Sequence, residues 1–179
     1  MRLNLVTHHS NSLRQVYGAQ PRMMPMIPVR TRTGEPHREG LDALHTLARL
    51  RVEATGCRLE EVFGPDAAQQ LDTLGLKCGG HLRDFLLLVQ ETLGTAAALP
   101  GTSQDVKHAI QTIAAGPRQQ AGPDREVLRR IARGQELPSD LEEKVRRRLL
   151  DQGMVYQYFD GEYWYAPNPL LGEFYGAGS

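Results

Sequence analysis

The hydrophobic periodicity of the chain changes once, close to Gly153, and this change limits the folds that the sequence can adopt. Before it, apolar residues recur with the 3.6-residue period of amphipathic helices, as in residues 41–48. After it, residues 155–159 and 163–165 are rich in aromatic residues, follow the two-residue period of strands and flank an Asp-Gly dipeptide. The pattern predicts a mainly α-helical protein that ends in one β-hairpin with a tight primed turn.

The helical part is predicted to consist of short helices that end at glycine or proline residues. The expected helices are residues 41–56, 59–63, 65–75, 80–98, 102–115, 124–133 and 139–153. Thr102 with Asp105, and Ser139 with Glu142, have the spacing of capping boxes at helix starts. A linker is expected at residues 116–123, which Gly-Pro dipeptides bracket.

Two of these helices have a predicted buried face. In residues 65–75 we expect Ala68, Leu71 and Leu74 to point inward. In the strongest helix, residues 80–98, six apolar residues fall on one stripe. These residues are Leu82, Phe85, Leu86, Val89, Leu93 and Ala96.

The N-terminal part carries weaker signals. Residues 26–31 fit a short strand, which Pro25 and Pro28 restrict to a sheet edge or a strand start, and residues 33–36 fit a turn. Residues 6–16 fit a short helix, yet the first 24 residues lack a sustained pattern, and we expect them to be largely disordered.

Composition excludes some classes of protein. Lysine plus arginine and aspartate plus glutamate both number 21, so the zero formal charge argues against a protein that coats nucleic acid. The two cysteines, Cys57 and Cys78, are too few for a disulfide scaffold and predict reduced thiols. No apolar run approaches the roughly 20 residues that a bilayer requires, and the start is too short for a secretory signal. A cytoplasmic protein without a membrane partner is expected.

The most informative motif is Gly79-Gly80-His81-Leu82-Arg83-Asp84, in which two glycines lead into a helix. Glycines let the backbone turn sharply and leave free N–H groups at the helix start. Arg83 falls in the first helical turn, off the apolar stripe, where its guanidinium could reach an anion. An arginine beside Asp84 could equally form a surface ion pair of little consequence. Asp84 is expected to be structural, holding the glycine turn or a neighbouring basic residue.

This motif resembles the opening of the lid helix in AAA+ and related STAND-like bacterial P-loop ATPases. In that family the arginine, called sensor 2, touches the terminal phosphate of a bound nucleotide. Residues 25–29 are similar to the last core strand, residues 41–51 to the first lid helix, and residues 149–170 to the winged helix that follows the lid. The resemblance covers residues 25–171. It implies an irregular core remnant at residues 1–36, a helical lid at 37–99 and a winged-helix domain at 100–179.

The resemblance also implies an incomplete ATPase. A Walker A loop requires a Gly-Lys dipeptide, and the sequence has none; a strand that ends in Asp-Glu is also missing. We therefore expect no catalytic residues and no hydrolysis of ATP by this chain alone. ATP and magnesium would bind only with a partner core or sister subunit, and Arg83, Gly79 and Gly80 would sense the phosphate.

Two further clusters suggest binding functions. Lys144, Arg146, Arg147 and Arg148 lie on the helix that enters the major groove in DNA-binding winged-helix proteins. Nearby acidic residues favour the alternative, a solvated helix face with pairs such as Glu143 to Arg147. The hairpin aromatics Tyr156, Tyr158, Tyr163, Trp164 and Tyr165 could stack on bases, but we expect one face of them to cover the helices.

Metal binding has little support, because Cys78 and His81 supply two ligands and the histidines at positions 8, 9 and 37 form no spaced cluster with cysteines. Three hypotheses follow from the sequence: a lid and winged-helix module of a P-loop ATPase, a winged-helix DNA-binding regulator, and a protein-interaction adaptor.

Overall fold

The computed structural model describes residues 25–172, which are mainly helical with one antiparallel hairpin near the C-terminal end. The α-helices of this part are α1 (Arg38–Glu53), α2 (Leu59–Phe63), α3 (Ala67–Cys78), α4 (Leu82–Thr95), α5 (Ser103–Gln120), α6 (Arg125–Gly134) and α7 (Glu143–Asp151). The strands are β1 (Val155–Phe159) and β2 (Tyr163–Pro167), and 3-10 turns cover Gly122–Asp124 and Pro169–Leu171. The predicted fold class, mainly helical with a C-terminal hairpin, is confirmed. The helix expected at residues 6–16 and the disorder expected before Pro25 lie outside the described residues.

The N-termini of α1 and α5 are capped by different side-chain hydrogen bonds. The imidazole of His37 accepts a hydrogen bond from the Gly40 amide and caps α1. The capping box at α5 is confirmed, because Asp105 accepts from the Thr102 amide at 2.8 Å while the Thr102 hydroxyl accepts from the Asp105 amide. Each such cap satisfies amides that have no partner within the helix.

The capping box expected at Ser139 is wrong. Helix α7 begins at Glu143, because residues 138–141 form a separate turn in which the Leu141 amide bonds the Pro138 carbonyl. The linker expected at residues 116–123 is also wrong over its first half, since α5 continues through Pro117 to Gln120. Proline inside a helix costs about 3 kcal/mol, yet the helix is continuous across Pro117, with Ala114 before it and Ala121 after it both buried.

The buried face of α4 is rotated from the predicted stripe. Phe85, Leu88 and Thr92 are its buried residues, whereas Leu82 is 42% exposed and Leu86 is half-buried. The choice of face follows from the neighbouring helices, which the helical period of a single segment does not specify. A smaller shift occurs in α3, where Ala67 is buried instead of Ala68.

The strand expected at residues 26–31 does not form. Pro25 and Pro28 lack amide donors, so a continuous ladder is not available to this segment. It instead makes single bonds, from the Met26 amide to the Gln157 carbonyl and from the Ile27 amide to the Gly80 carbonyl. A turn is present near the one expected at residues 33–36, but it lies at residues 31–34, where the Gly34 amide donates to the Thr31 carbonyl, and an isolated bridge joins Arg30 to Pro36 around it.

The hairpin pairs Val155 with Pro167 at its base and Phe159 with Tyr163 at its tip. Its connection has three residues, of which Gly161 alone has a positive φ, so the two-residue primed turn expected for Asp-Gly is wrong. A third loop residue relaxes the requirement for positive φ at both central positions.

The hairpin lies between two apolar clusters. The first is built on α1–α5, with core residues such as Leu44, Leu74 and Phe85. The second joins α6, α7 and β1 through residues such as Leu128, Leu149 and Val155. Residues 103–121 connect the two clusters: Val106 and Ala114 of α5 pack in the first, and Ala121, which directly follows α5, packs in the second. The helices and the hairpin therefore form one continuous packed unit.

Candidate functional site

The Gly79-Gly80 turn between α3 and α4 is buried under the hairpin. Both residues have positive φ, at 58° and 75°, as a sharp left-handed turn requires. The Tyr158 hydroxyl donates to the Gly79 carbonyl at 2.7 Å. A Cβ at Gly79 would lie 2.9 Å from the Tyr156 ring, and a Cβ at Gly80 would overlap the Ile27 carbonyl oxygen. The two glycines therefore allow close packing of the hairpin and residues 26–27 against the turn.

A polar network joins the start of α4 to the hairpin. The buried Tyr156 hydroxyl donates to Asp84 Oδ2 at 2.7 Å. His81 Nδ1 lies 2.9 Å from the same oxygen, at ion-pair distance but without hydrogen-bond alignment, and the His81 ring stacks on Tyr156 at 5.5 Å. Burial raises the pKa of Asp84, but His81, the Tyr156 hydrogen bond and the charge of Arg83 together outweigh it and lower that pKa below its usual range.

Burial, reinforced by the Asp84 charge, raises the pKa of the Tyr156 hydroxyl, so this group stays a hydrogen-bond donor over the whole neutral range. The sequence predicts a structural role for Asp84, at the glycine turn or beside a basic residue. Its partner Tyr156 cannot be predicted in the same way, because Tyr156 lies 72 positions away and no local pattern connects the two residues.

Arg83 lies in the first turn of α4 with an exposed side chain. No ion pair with Arg83 forms within residues 25–172, and its sequence neighbour Asp84 is engaged by Tyr156 and His81. The surface ion pair considered from the sequence is therefore not made. Of the three residues predicted to sense phosphate, Arg83 is exposed, whereas Gly79 and Gly80 are buried.

The surroundings of Arg83 are apolar. We define the outer face of α4 as Leu82, Arg83, Leu86, Leu87 and Gln90, which share one side of the helix at spacings of one, four, five and eight residues. Leu82 is 42% exposed and Leu87 38% exposed, while Leu86 is half-buried. This face thus carries a single cation among three leucines.

The basic residues of α7 do not form one free surface. Arg147 pairs with Glu143 at 2.7 Å, as the sequence alternative proposed, and Arg148 pairs with the buried Asp124. Lys144 is exposed and Arg146 half-buried, and neither forms an ion pair within the described part of the chain.

The arginines of the neighbouring helix α6 also form ion pairs with carboxylates. Arg130 pairs with Asp140 at 2.7 Å through two hydrogen bonds, and Arg129 lies 3.4 Å from Glu126. Carboxylates therefore interrupt the positive potential of the α6–α7 surface.

The hairpin aromatics divide between core and surface. Tyr156, Tyr158 and Trp164 are buried, and the last two stack with ring centroids 4.3 Å apart. Tyr165 is half-buried and accepts a hydrogen bond from Gln157, whereas Tyr163 is exposed. Tyr156 and Tyr158 cover the glycine turn and the start of α4, and Trp164 packs on Tyr158 beside them.

The cysteine and histidine side chains of the described residues do not form a cluster that could bind a metal. Cys57 and Cys78 are both free, and burial raises the pKa of the Cys78 thiol to about 12. No group of three or more His, Cys, Asp or Glu side chains that could hold a metal occurs among the described residues. His8 and His9 lie outside them. None of the described helices is long and apolar enough to cross a membrane.

Comparison with models of known protein families, with characterised proteins and with solved structures found no match to this chain. The arrangement of its own residues must therefore carry any functional argument.

Proposed function

We propose that this chain is a helical lid and winged-helix module that assembles with a P-loop ATPase core and reads the nucleotide state of that core through Arg83. The observation that carries the proposal is the exposed Arg83, unpaired within residues 25–172 and surrounded by the leucines of the outer face of α4. A guanidinium that makes no direct ion pair and lies beside exposed leucines favours an anionic partner group that becomes shielded from water on assembly.

The apolar side chains around Arg83 support docking to a protein. From Phe85 to the end of α4, Glu91 is the one charged residue. Depletion of charge around exposed leucines is typical of the centre of a protein interface. By contrast Leu50, which is 55% exposed on α1, lies between Arg49 and Arg51 and fits an isolated surface leucine.

The order of elements after α5 supports the winged-helix part of the proposal. Helices α6 and α7 precede the hairpin, and the Tyr165 amide of β2 donates to the carbonyl of Gln135, which directly follows α6. The hairpin would then serve as the wing, with α7 as the third helix.

The contacts between hairpin and lid give the proposal its mechanism. Tyr156 holds Asp84, one residue from Arg83, and Tyr158 holds Gly79. A displacement of Arg83 on phosphate binding would therefore be transmitted to the hairpin as a rigid-body movement. In this proposal the two glycines serve packing and do not contact phosphate, since the hairpin and residues 26–27 cover them.

The partner has to supply the catalytic parts. The sequence contains no Gly-Lys dipeptide from which a phosphate-binding loop could be built, so ATP and magnesium would be held by the partner core. This chain would contribute one charge-assisted contact to the terminal phosphate and would not hydrolyse ATP alone.

The partner can be identified by site-specific photo-crosslinking in the cells that produce the chain. A benzophenone amino acid at Leu87 should capture a protein that contains a P-loop, and the same amino acid at the exposed Leu50 should not. The captured protein, once purified, should bind the unmodified chain and lose affinity on Leu87→Ser but not on Leu50→Ser. Equal capture at both positions, or capture of proteins that all lack a P-loop, would contradict the proposal.

The DNA-binding regulator remains a second candidate, because Lys144 and Arg146 have no ion-pair partner within the described residues. It is less well supported, since Arg147 and Arg148 are committed to Glu143 and Asp124. Duplex DNA affinity that falls steeply with salt and is lost in an Arg146/Arg147/Arg148 alanine variant would favour the regulator. An adaptor would show neither nucleotide-linked nor DNA binding.

A further inference from the structure

The tip of the hairpin carries an exposed aromatic pair. Phe159 is 49% exposed and Tyr163 is 53% exposed, and their ring centroids lie 5.0 Å apart with the ring planes tilted by 55°. The two residues are cross-strand partners and share the hairpin face of Gln157 and Tyr165. Helices α6 and α7 cover the base of this face at Val155, whereas the tip extends beyond them.

Charged groups surround these rings. The loop between them carries two carboxylates, Asp160 and Glu162, and Glu162 is almost fully exposed. One cation of the chain already lies here: Arg32 Nε is 3.1 Å from Asp160, while Arg32 Nη2 is 3.8 Å from Glu162. Glu162 is therefore only loosely engaged, and the loop keeps a net negative charge.

We propose that the hairpin tip is an interaction surface for a lysine or arginine side chain of a protein partner. Aromatic faces attract cations through the ring quadrupole, and a nearby carboxylate adds a direct charge interaction. The position of Arg32 illustrates that a guanidinium is compatible with this loop.

The negative charge of the loop distinguishes the hairpin tip from the wing of a DNA-binding winged helix. A wing that contacts the DNA backbone requires positive charge, and Asp160 and Glu162 would repel phosphates. The inference does not depend on Arg83 or on the identity of the partner docked at α4, so either proposal can fail without the other.

The test uses the whole chain and a heptapeptide of alternating glycine and arginine, followed by amide NMR shifts. Millimolar peptide should shift the amides of residues 159–163 and of Arg32. A peptide with citrulline in place of arginine, which has the same shape without charge, should not. Phe159→Leu, which keeps an apolar side chain but removes the ring, should weaken binding about three- to fivefold.

Two matched variants control for general attraction between the peptide and acidic groups. Glu162→Gln should weaken binding, whereas Glu136→Gln, at another exposed carboxylate, should not. Both positions are exposed, so neither change should unfold the chain, and unchanged shifts elsewhere in the spectrum would verify this. Shifts spread evenly over the acidic surface, equal effects of the two variants, or retained affinity in Phe159→Leu would overturn the proposal. Tip shifts with a short DNA duplex instead of the peptide would do the same.

Discussion

Removal of the Tyr156 hydroxyl should uncouple the hairpin from the start of α4 while preserving the shape of the core. Tyr156 is 2% exposed, and its ring lies against Gly79 and stacks on His81. It also belongs to a small buried cluster of hairpin aromatics with Tyr158 and Trp164. Tyr156→Phe leaves these ring contacts in place and removes only the donor to Asp84.

The cost of this change follows from the charge of the acceptor. A hydrogen bond to a charged group contributes about 1.5–3 kcal/mol, whereas one between neutral groups contributes about 0.5–1.5 kcal/mol. Asp84 is partly buried, so solvent only partly replaces the lost donor. We expect Tyr156→Phe to lower the free energy of unfolding by about 2 kcal/mol at pH 7, equivalent to about 4–8 °C in Tm for a chain of this size.

The matched control is Tyr158→Phe, which removes a hydroxyl from the same cluster but one that donates to the neutral carbonyl of Gly79. Its cost should be about 1 kcal/mol. Urea denaturation followed by tryptophan fluorescence measures both, since Trp164 stacks on Tyr158 in the hairpin and reports its environment.

The pH dependence separates the two variants further. The folded-state pKa of Asp84 is lowered, so its charge contributes stability above the unfolded-state pKa of about 3.9, and this contribution is lost as pH falls through the folded-state pKa. The cost of Tyr156→Phe should therefore decrease below about pH 4, towards that of Tyr158→Phe. If Tyr156→Phe costs no more than Tyr158→Phe at pH 7, or if its cost is constant with pH, the charged network described above is refuted.

Two further predictions concern the packing of the glycine turn and the burial of the Cys78 thiol that precedes it. Gly80→Ala should destabilise the chain by at least about 2 kcal/mol in thermal melts, because φ is positive and a Cβ would overlap the Ile27 carbonyl. Gly94→Ala, in the open part of α4, should instead stabilise it by up to about 1 kcal/mol; a reversed order would argue against the described packing. Iodoacetamide at pH 8 should modify the half-buried Cys57 well before Cys78, whose pKa burial raises to about 12, and mass spectrometry of the native chain would detect equal rates if this is wrong.

The sequence was informative wherever the cause of structure is local. The periodicity of the helices, the Thr102–Asp105 capping box and the position of the hairpin all depend on residues within a few positions of one another. Glycine and proline were less reliable as helix stops, since α5 continues through Pro117 to Gln120 in spite of the intrinsic cost of proline in a helix.

Features that depend on distant partners were not predictable. The helical period gave α4 an apolar stripe, but which of its leucines would be buried depends on α3 and α5, and Leu82 is exposed. Likewise the sequence indicates a structural role for Asp84, but it does not indicate that Tyr156 is the hydrogen-bond donor to Asp84. The prediction of a short strand at residues 26–31 was wrong, since that segment pairs with single carbonyls of the glycine turn and of β1.

The central claim, that Arg83 reads a nucleotide held by a partner, is tested most directly by binding of a fluorescent ATP analogue to the complex formed with the protein captured at Leu87. Arg83→Ala should weaken nucleotide binding to the complex about 10- to 100-fold, because a charge-assisted contact to phosphate is lost, while the partner alone is unaffected. Arg133→Ala, at an exposed arginine on α6, provides the matched control and should have no effect. Equal nucleotide affinities for the wild-type and Arg83→Ala complexes would contradict the account.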